Sequence, residues 1–273
     1  MATASRALPR WLRIPEPGLG REAGLALALL LAAWLSLQLG PLALALRESG
    51  PAALLALNGL GPLDLMALLA SLEALRRGAQ AGDLHAPSWA GALCAGLLLL
   101  PSTLVAALAL VLMGTAVAWY SRGAARWGAI GMAGLGAIPL GGALGQEALS
   151  ALTHLEAWAT HALLSGLEPG LTLAGAVLRM PDGHGIAVLA GCSIAHFLPP
   201  AVLALLVMRR AEGAGRPLLR PLLALVVILV VLNLLRLMLL TWSPLAYGWG
   251  HGVLGTNLFG LLCVAVLQAS ADA

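Results

Sequence analysis

The sequence predicts an all-α polytopic membrane protein with about eight transmembrane helices. Three observations predict it. Of 273 residues, 60% are hydrophobic and only 10% are charged, whereas a soluble domain carries roughly 25% charged residues. The apolar residues fall in runs long enough to cross a bilayer, which takes about 20 residues as a helix. Most of the basic residues, all fifteen of which are Arg, lie in the N-terminal tail or in short connections between those runs. So few charges exclude a cytosolic enzyme, a disordered chain and a nucleic-acid-binding module.

In chain order, residues 1–22 form a basic tail with Arg6, Arg10, Arg13 and Arg21, expected on the cytoplasmic side. Residues 23–273 form a single transmembrane domain. Its candidate spans are 24–46, 52–75, 90–118, 128–146, 148–168, 190–208, 221–241 and 253–270. The third contains Pro101, which marks a kink or a division into two pieces. The fifth carries Glu147, His154, Glu156 and His161, which also suits an interfacial helix. Arg209, Arg210, Arg216 and Arg220 share one connection, and Arg76 and Arg77 a second. Placing these inside puts both termini inside and the connection 119–127, with Arg122 and Arg126, outside.

That orientation sends 169–190 and 242–252 to the extracytoplasmic face. Pro181-Asp182-Gly183 lies between apolar stretches at Leu173–Met180 and Ile186–Leu189. Pro presets φ, Asp bonds its own backbone and Gly accepts positive φ. The reading is a short β-hairpin with His184 solvated at its tip. Segment 242–252, with Trp242, Tyr247 and Trp249 among Gly and Pro, reads as an aromatic interfacial loop.

Three residues at this face can do chemistry together. Cys192 follows the hairpin at the start of the sixth span, where a helix N-terminus favours thiolate. Arg236, in Asn233-Leu-Leu-Arg236, is an ionisable group inside a span, either facing the bundle interior or snorkelling to the headgroups. His251, between Gly250 and Gly252, is a residue type that suits a general base. Cys192 would attack a carbonyl, His251 would move the proton and Arg236 would stabilise thiolate or oxyanion. Supporting candidates are Ser193, Asn233, and His196, one turn beyond Cys192 and a rival base. Asp64 and Glu73 suit a proton path or, more simply, helix partnering, Glu73 beside Arg76 and Arg77. Cys94 and Cys263 read as apolar packing without charged neighbours. Three scattered Cys suggest neither a disulfide framework nor a zinc site, and the chemistry requires no metal or organic cofactor.

The order of these motifs resembles the exosortase/archaeosortase family of membrane transpeptidases. The resemblance covers roughly 130 residues. It runs from Ile138-Pro139-Leu140 through Pro181-Asp182-Gly183, Val188-Leu-Ala-Gly-Cys192-Ser193 and Asn233-Leu-Leu-Arg236 to His251-Gly-Val-Leu-Gly255-Thr-Asn-Leu-Phe259. It makes about 138–270 the catalytic half. It implies a Cys–Arg–His set on Cys192, Arg236 and His251, and a multi-pass protein of the bacterial cytoplasmic (inner) membrane with its site on the periplasmic face. The implied partners, besides the lipid bilayer, are secreted proteins ending in a sorting signal: a Pro-Glu-Pro-like motif, a transmembrane helix and a basic tail. Two positions depart from the family pattern. Ile194 stands where Gly commonly follows Cys-Ser, and Leu189, Ala190 and Gly191 replace an acidic residue before the Cys. The competing readings are a non-enzymatic transport or polysaccharide-export assembly protein, and a hydrolase using Ser193 or Ser243.

Overall fold

A computed structural model describes residues 20–49, 61–213 and 217–273. The expected basic tail, apart from residues 20–22, lies outside the described residues, as do 52–60 of the second candidate span and Arg216. The helices are α1 (Arg21–Ser49), α2 (Pro62–Gln80), α3 (Ser88–Leu98), α4 (Thr103–Tyr120), α5 (Gly123–Leu144) and α6 (Gln146–Leu164). After a small sheet come α7 (Ile194–Glu212), α8 (Leu219–Trp242), α9 (Pro244–His251) and α10 (Val253–Asp272).

Six of the described helices are long and apolar enough to cross a bilayer: parts or all of α1, α4, α5, α7, α8 and α10. The expected count of about eight is corrected accordingly, for local reasons. The third candidate span is broken at Leu99–Ser102 around Pro101. This leaves α3 with 11 residues, about 16 Å at helical rise against a hydrocarbon core of about 30 Å. The described part of the second span, α2, carries Asp64, Glu73, Arg76 and Arg77. The fifth candidate, α6, is not among the helices long and apolar enough to cross. It begins one residue after α5, its middle touches the start of α7 through Glu156, and its last turn reaches the sheet through His161 and Leu171. It lies across one end of the bundle.

Two ends organise the molecule. At one end the C-termini of α2, α7 and α10 meet around a cavity of about 250 Å³ lined by Glu73, Arg76, Arg77, Met208, Glu212 and Gln268. Glu73 pairs with both arginines of its own helix, at 2.7 Å to Arg76 and 2.8 Å to Arg77, the neighbours expected of it. The connection holding Arg122 lies at this same end. Ser121 exchanges hydrogen bonds with the backbone of His85, and the Arg122 amide donates to Asp83. This corrects the expected placement of 119–127 opposite the other arginines. Because α3 and α4 pack as a helical hairpin, the chain returns to the end it left.

At the opposite end the N-termini of α2, α7 and α10 converge, with the C-terminus of α8 and all of α6 and α9. The sheet rests here too. Its order is β1 (Thr172–Ala174), β2 (Val177–Arg179), β3 (Gly185–Ala187), antiparallel throughout. The expected hairpin is β2–β3, turning at Asp182, whose carboxylate accepts from the His184 amide at 2.9 Å, and at Gly183 with φ +88°. Leu173–Met180 is not one strand, because Gly175-Ala176 turns the chain inside it and adds β1.

The outward surface is apolar where lipid is expected. On α8, Leu223, Val227, Val231, Leu235 and Leu239 recur every fourth residue and are all exposed, forming a lipid-facing stripe. The opposite face buries Leu225, Leu229, Asn233, Arg236 and Leu240, so the polar side chains of this helix point into the bundle. The protein is thus a multi-pass membrane protein by the length and composition of its helices.

Candidate active site

Cys192 closes a short 3-10 turn, Ala190–Cys192, that links β3 to α7. Its sulfur packs in a small core of its own with Ala157 and Leu164 of α6, Leu178 and Ile186 of the sheet, and Leu237 and Leu240 of α8. The turn is one residue short of the helix. Ser193 is the N-cap of α7, its hydroxyl accepting the Ala195 amide at 3.2 Å. The thiol therefore precedes the helix N-terminus instead of occupying it.

His251 ends α9. An eight-residue helix here corrects the expected loop, and Ser243-Pro244 is the reason. Ser243 caps the helix, accepting the Ala246 amide at 3.1 Å, and Pro244 takes the first helical position, where its missing N–H costs nothing. A tight junction with α10 fixes where the helix ends. A Cβ at Gly255 would meet Gly250 Cα at 2.6 Å, so only glycine permits this approach. Tyr247 stacks on the His251 ring with centroids 5.0 Å apart. The outcome is a contact across 59 residues of chain: Cys192 Sγ lies 3.7 Å from His251 Nε2.

Arg236 does not snorkel. It is 9% exposed, and its guanidinium lies over Phe259 at 4.8 Å and Phe197 at 5.6 Å. These are the only two Phe residues in the chain, and they meet edge to face at 5.1 Å. Rings on α7 and α10 thus grip a cation on α8 through their π faces. Nε and Nη1 of Arg236 are buried without a partner, while Cys192 and Cys263 are both within its electrostatic reach. Cys263 thus has the charged neighbour that the sequence reading denied it.

The supporting candidates divide. Asn233 is 1% exposed and donates toward Glu156 at 3.4 Å. His196 packs edge-on against Phe197 and is an electrostatic neighbour of Asp64, so the imidazole hydrogen-bonded to the sulfur is that of His251. His184 is not free at the hairpin tip. Its Nε2 donates to the Leu240 carbonyl at 3.1 Å and its ring meets Tyr247 edge-on, tying the sheet to the end of α8. Ser193 and Ser243 spend their hydroxyls as helix caps.

Glu156 escaped the sequence reading as a site residue. It is 7% exposed, and Oε1 accepts the Ile194 amide at 2.7 Å. Burial pushes its carboxyl above the ordinary carboxylate range, although bonds from Ile194, Ser193 and Asn233 oppose the shift. The available signal was its setting: on α6, Thr153, Ala157, Thr160 and Leu164 share its buried face, and a lone carboxylate on such a face needs donors from elsewhere.

Compared with known proteins, the chain matches no family model, no curated protein and no solved structure.

Proposed function

We propose that this protein is a membrane-embedded cysteine protease/transpeptidase of the exosortase kind, acting on C-terminal sorting signals of secreted proteins. The single observation that carries the reading is the contact of Cys192 Sγ with His251 Nε2 at 3.7 Å, beside a buried guanidinium with two unpartnered donors. In the proposed reaction His251 takes the thiol proton as sulfur attacks the substrate carbonyl carbon. The carbonyl oxygen becomes an oxyanion facing Arg236. Collapse breaks the C–N bond, and His251 gives its proton to the leaving amine, so that the upstream part of the substrate remains as a thioester on Cys192. An acceptor amine, or water, then attacks the thioester and passes its proton to His251, and the thiol is restored.

Sidedness is part of the proposal. The arginine end faces the cytoplasm of a bacterial cell and the Cys192 end faces the periplasm. A substrate anchored by its own C-terminal helix then holds its motif at the depth of the thiol. That confinement contributes proximity without any further binding pocket.

The test co-expresses the protein with a secreted protein ending in motif, span and Arg-rich tail, and follows the tail by immunoblot. The reading expects cleavage that disappears in Cys192→Ala with normal membrane insertion. Cleavage persisting at the wild-type rate in that variant would overturn it.

A further inference from the structure

Glu156 has no role in the acyl-transfer steps, yet its carboxylate touches both halves of the machinery. On one side it accepts the Ile194 amide at 2.7 Å and lies beside the Ser193 side chain. These are the two residues that follow Cys192. On the other side it accepts from Asn233 Nδ2 at 3.4 Å, one helical turn before Arg236. The helix that carries Glu156 lies across the end of the bundle. The arrangement is expensive for a purely architectural contact. Oε2 is buried without a partner, and an unpaired carboxylate oxygen in an apolar setting carries a desolvation penalty.

The same bonds change how the thiol can be activated. The first amide of α7 donates to Glu156 and the second to the Ser193 hydroxyl. The positive end of that helix is thus spent on the carboxylate and the cap rather than on the sulfur. Activation of Cys192 falls to His251 and Arg236, which sit on two other elements and must be held in register with its turn.

We propose that Glu156 is the positioning residue of this site: it ties the turn carrying Cys192 to the helix carrying Arg236, and so holds the sulfur in contact with His251. The proposal rests on reading Cys192 as a reactive thiol, but not on the identity of any substrate.

The experiment measures alkylation of Cys192 by iodoacetamide in the full-length, membrane-inserted protein, by mass spectrometry of the Cys192 peptide, with thermal unfolding recorded for each variant. Glu156→Leu fills the space but removes the acceptor, and is expected to slow alkylation about 10-fold. Glu156→Gln keeps an oxygen for the Ile194 amide and is expected to stay within about 3-fold of wild type. In a double-mutant cycle, His251→Ala is expected to slow the wild type about 10-fold and to add almost nothing in the Glu156→Leu background, because the contact it removes is already lost. Independent, multiplying effects would overturn the proposal. Wild-type alkylation in Glu156→Leu would overturn it as well, as would a Glu156→Gln variant as slow as Glu156→Leu. Should Glu156→Leu fail to insert, Glu156→Asp draws the oxygen back by one methylene and must show the same slow, His251-independent reaction; wild-type behaviour there counts against the proposal. Cleavage of sorting signals is not part of the readout. A protein that passes this cycle but cleaves no tail keeps its positioning residue and loses the transpeptidase reading, and the reverse result separates the two equally well.

Discussion

Arg236 is costly to place, since an Arg inside a spanning helix carries a penalty that reaches about 2.5–3.5 kcal/mol at the helix centre on insertion scales. Two aromatic faces offset part of that, at about 0.5–2 kcal/mol each, and they work because guanidinium is planar. Lys in its place would lose both the stacking and the fork of donors. Tail cleavage in Arg236→Lys should therefore fall at least about 100-fold, the scale of losing one oxyanion donor. A rate within about 3-fold of wild type would remove Arg236 from the mechanism. Glu156 gives a pH signature. Its folded value is raised by burial, so the folded protein binds the proton more tightly than the unfolded chain. Stability from this group is full below the ordinary carboxylate value and is lost as pH rises through the raised folded value. Unfolding temperatures measured from about pH 4 to about pH 7 should show a decline in the wild type that Glu156→Gln lacks; parallel curves would contradict this. Arg236 was legible because a charge in an apolar run stands out. Glu156 was not, because α6 reads as an ordinary amphipathic helix until its donors, 38 and 77 residues away, are in place.

At the scale of elements, local chemistry was legible wherever a turn or cap lay within a few residues. The Pro181-Asp182-Gly183 turn forms as its residues dictate, and Pro101 divides its segment. Gly175-Ala176 turns the chain with one glycine and no Pro or Asp, too slight a signal to separate β1 from β2. Ser243-Pro244 is a cap signal that the surrounding Gly and aromatic residues obscured. Removing that cap tests its importance. Ser243→Ala should cost about 1 kcal/mol at the start of α9. With only eight residues to share the loss, His251 should be held less firmly and tail cleavage should fall about 3- to 5-fold, with unchanged insertion. Unchanged cleavage would show that stacking on Tyr247 and the junction at Gly255 suffice to hold the imidazole.

Over the whole molecule, the membrane class was legible and the path between the two ends was not. Apolar runs define helices, but which of them cross depends on where both ends lie. Composition does not separate a helix lying across one end, such as α6, from a span. Moving 119–127 beside Arg76 and Arg209 places the connections holding Arg76, Arg122 and Arg209 at one end and Cys192 at the other, where Arg179 of the sheet also lies. A membrane-impermeant thiol reagent on intact cells should label Asp182→Cys at the sheet turn and leave Asp83→Cys unlabelled until the membrane is opened; the opposite pattern would invert the orientation. The bundle depends on close helix contact between those ends. A Cβ on Gly128 would meet the Ser71 carbonyl oxygen at 2.6 Å, so Gly128→Ala should destabilise by about 1–3 kcal/mol, read as a lower unfolding temperature in detergent.

The central claim is that Cys192, His251 and Arg236 form one acyl-transfer site at the periplasmic end. Its most direct test is to trap the intermediate. Wild-type protein in membranes is mixed with a substrate carrying motif, span and basic tail, quenched in acid and digested, and the Cys192 peptide is weighed. The account predicts that the substrate's upstream fragment is joined to Cys192 through a hydroxylamine-sensitive bond, and that this adduct is absent in Cys192→Ala. Cleaved substrate without that adduct, or with the adduct on another residue, would contradict it.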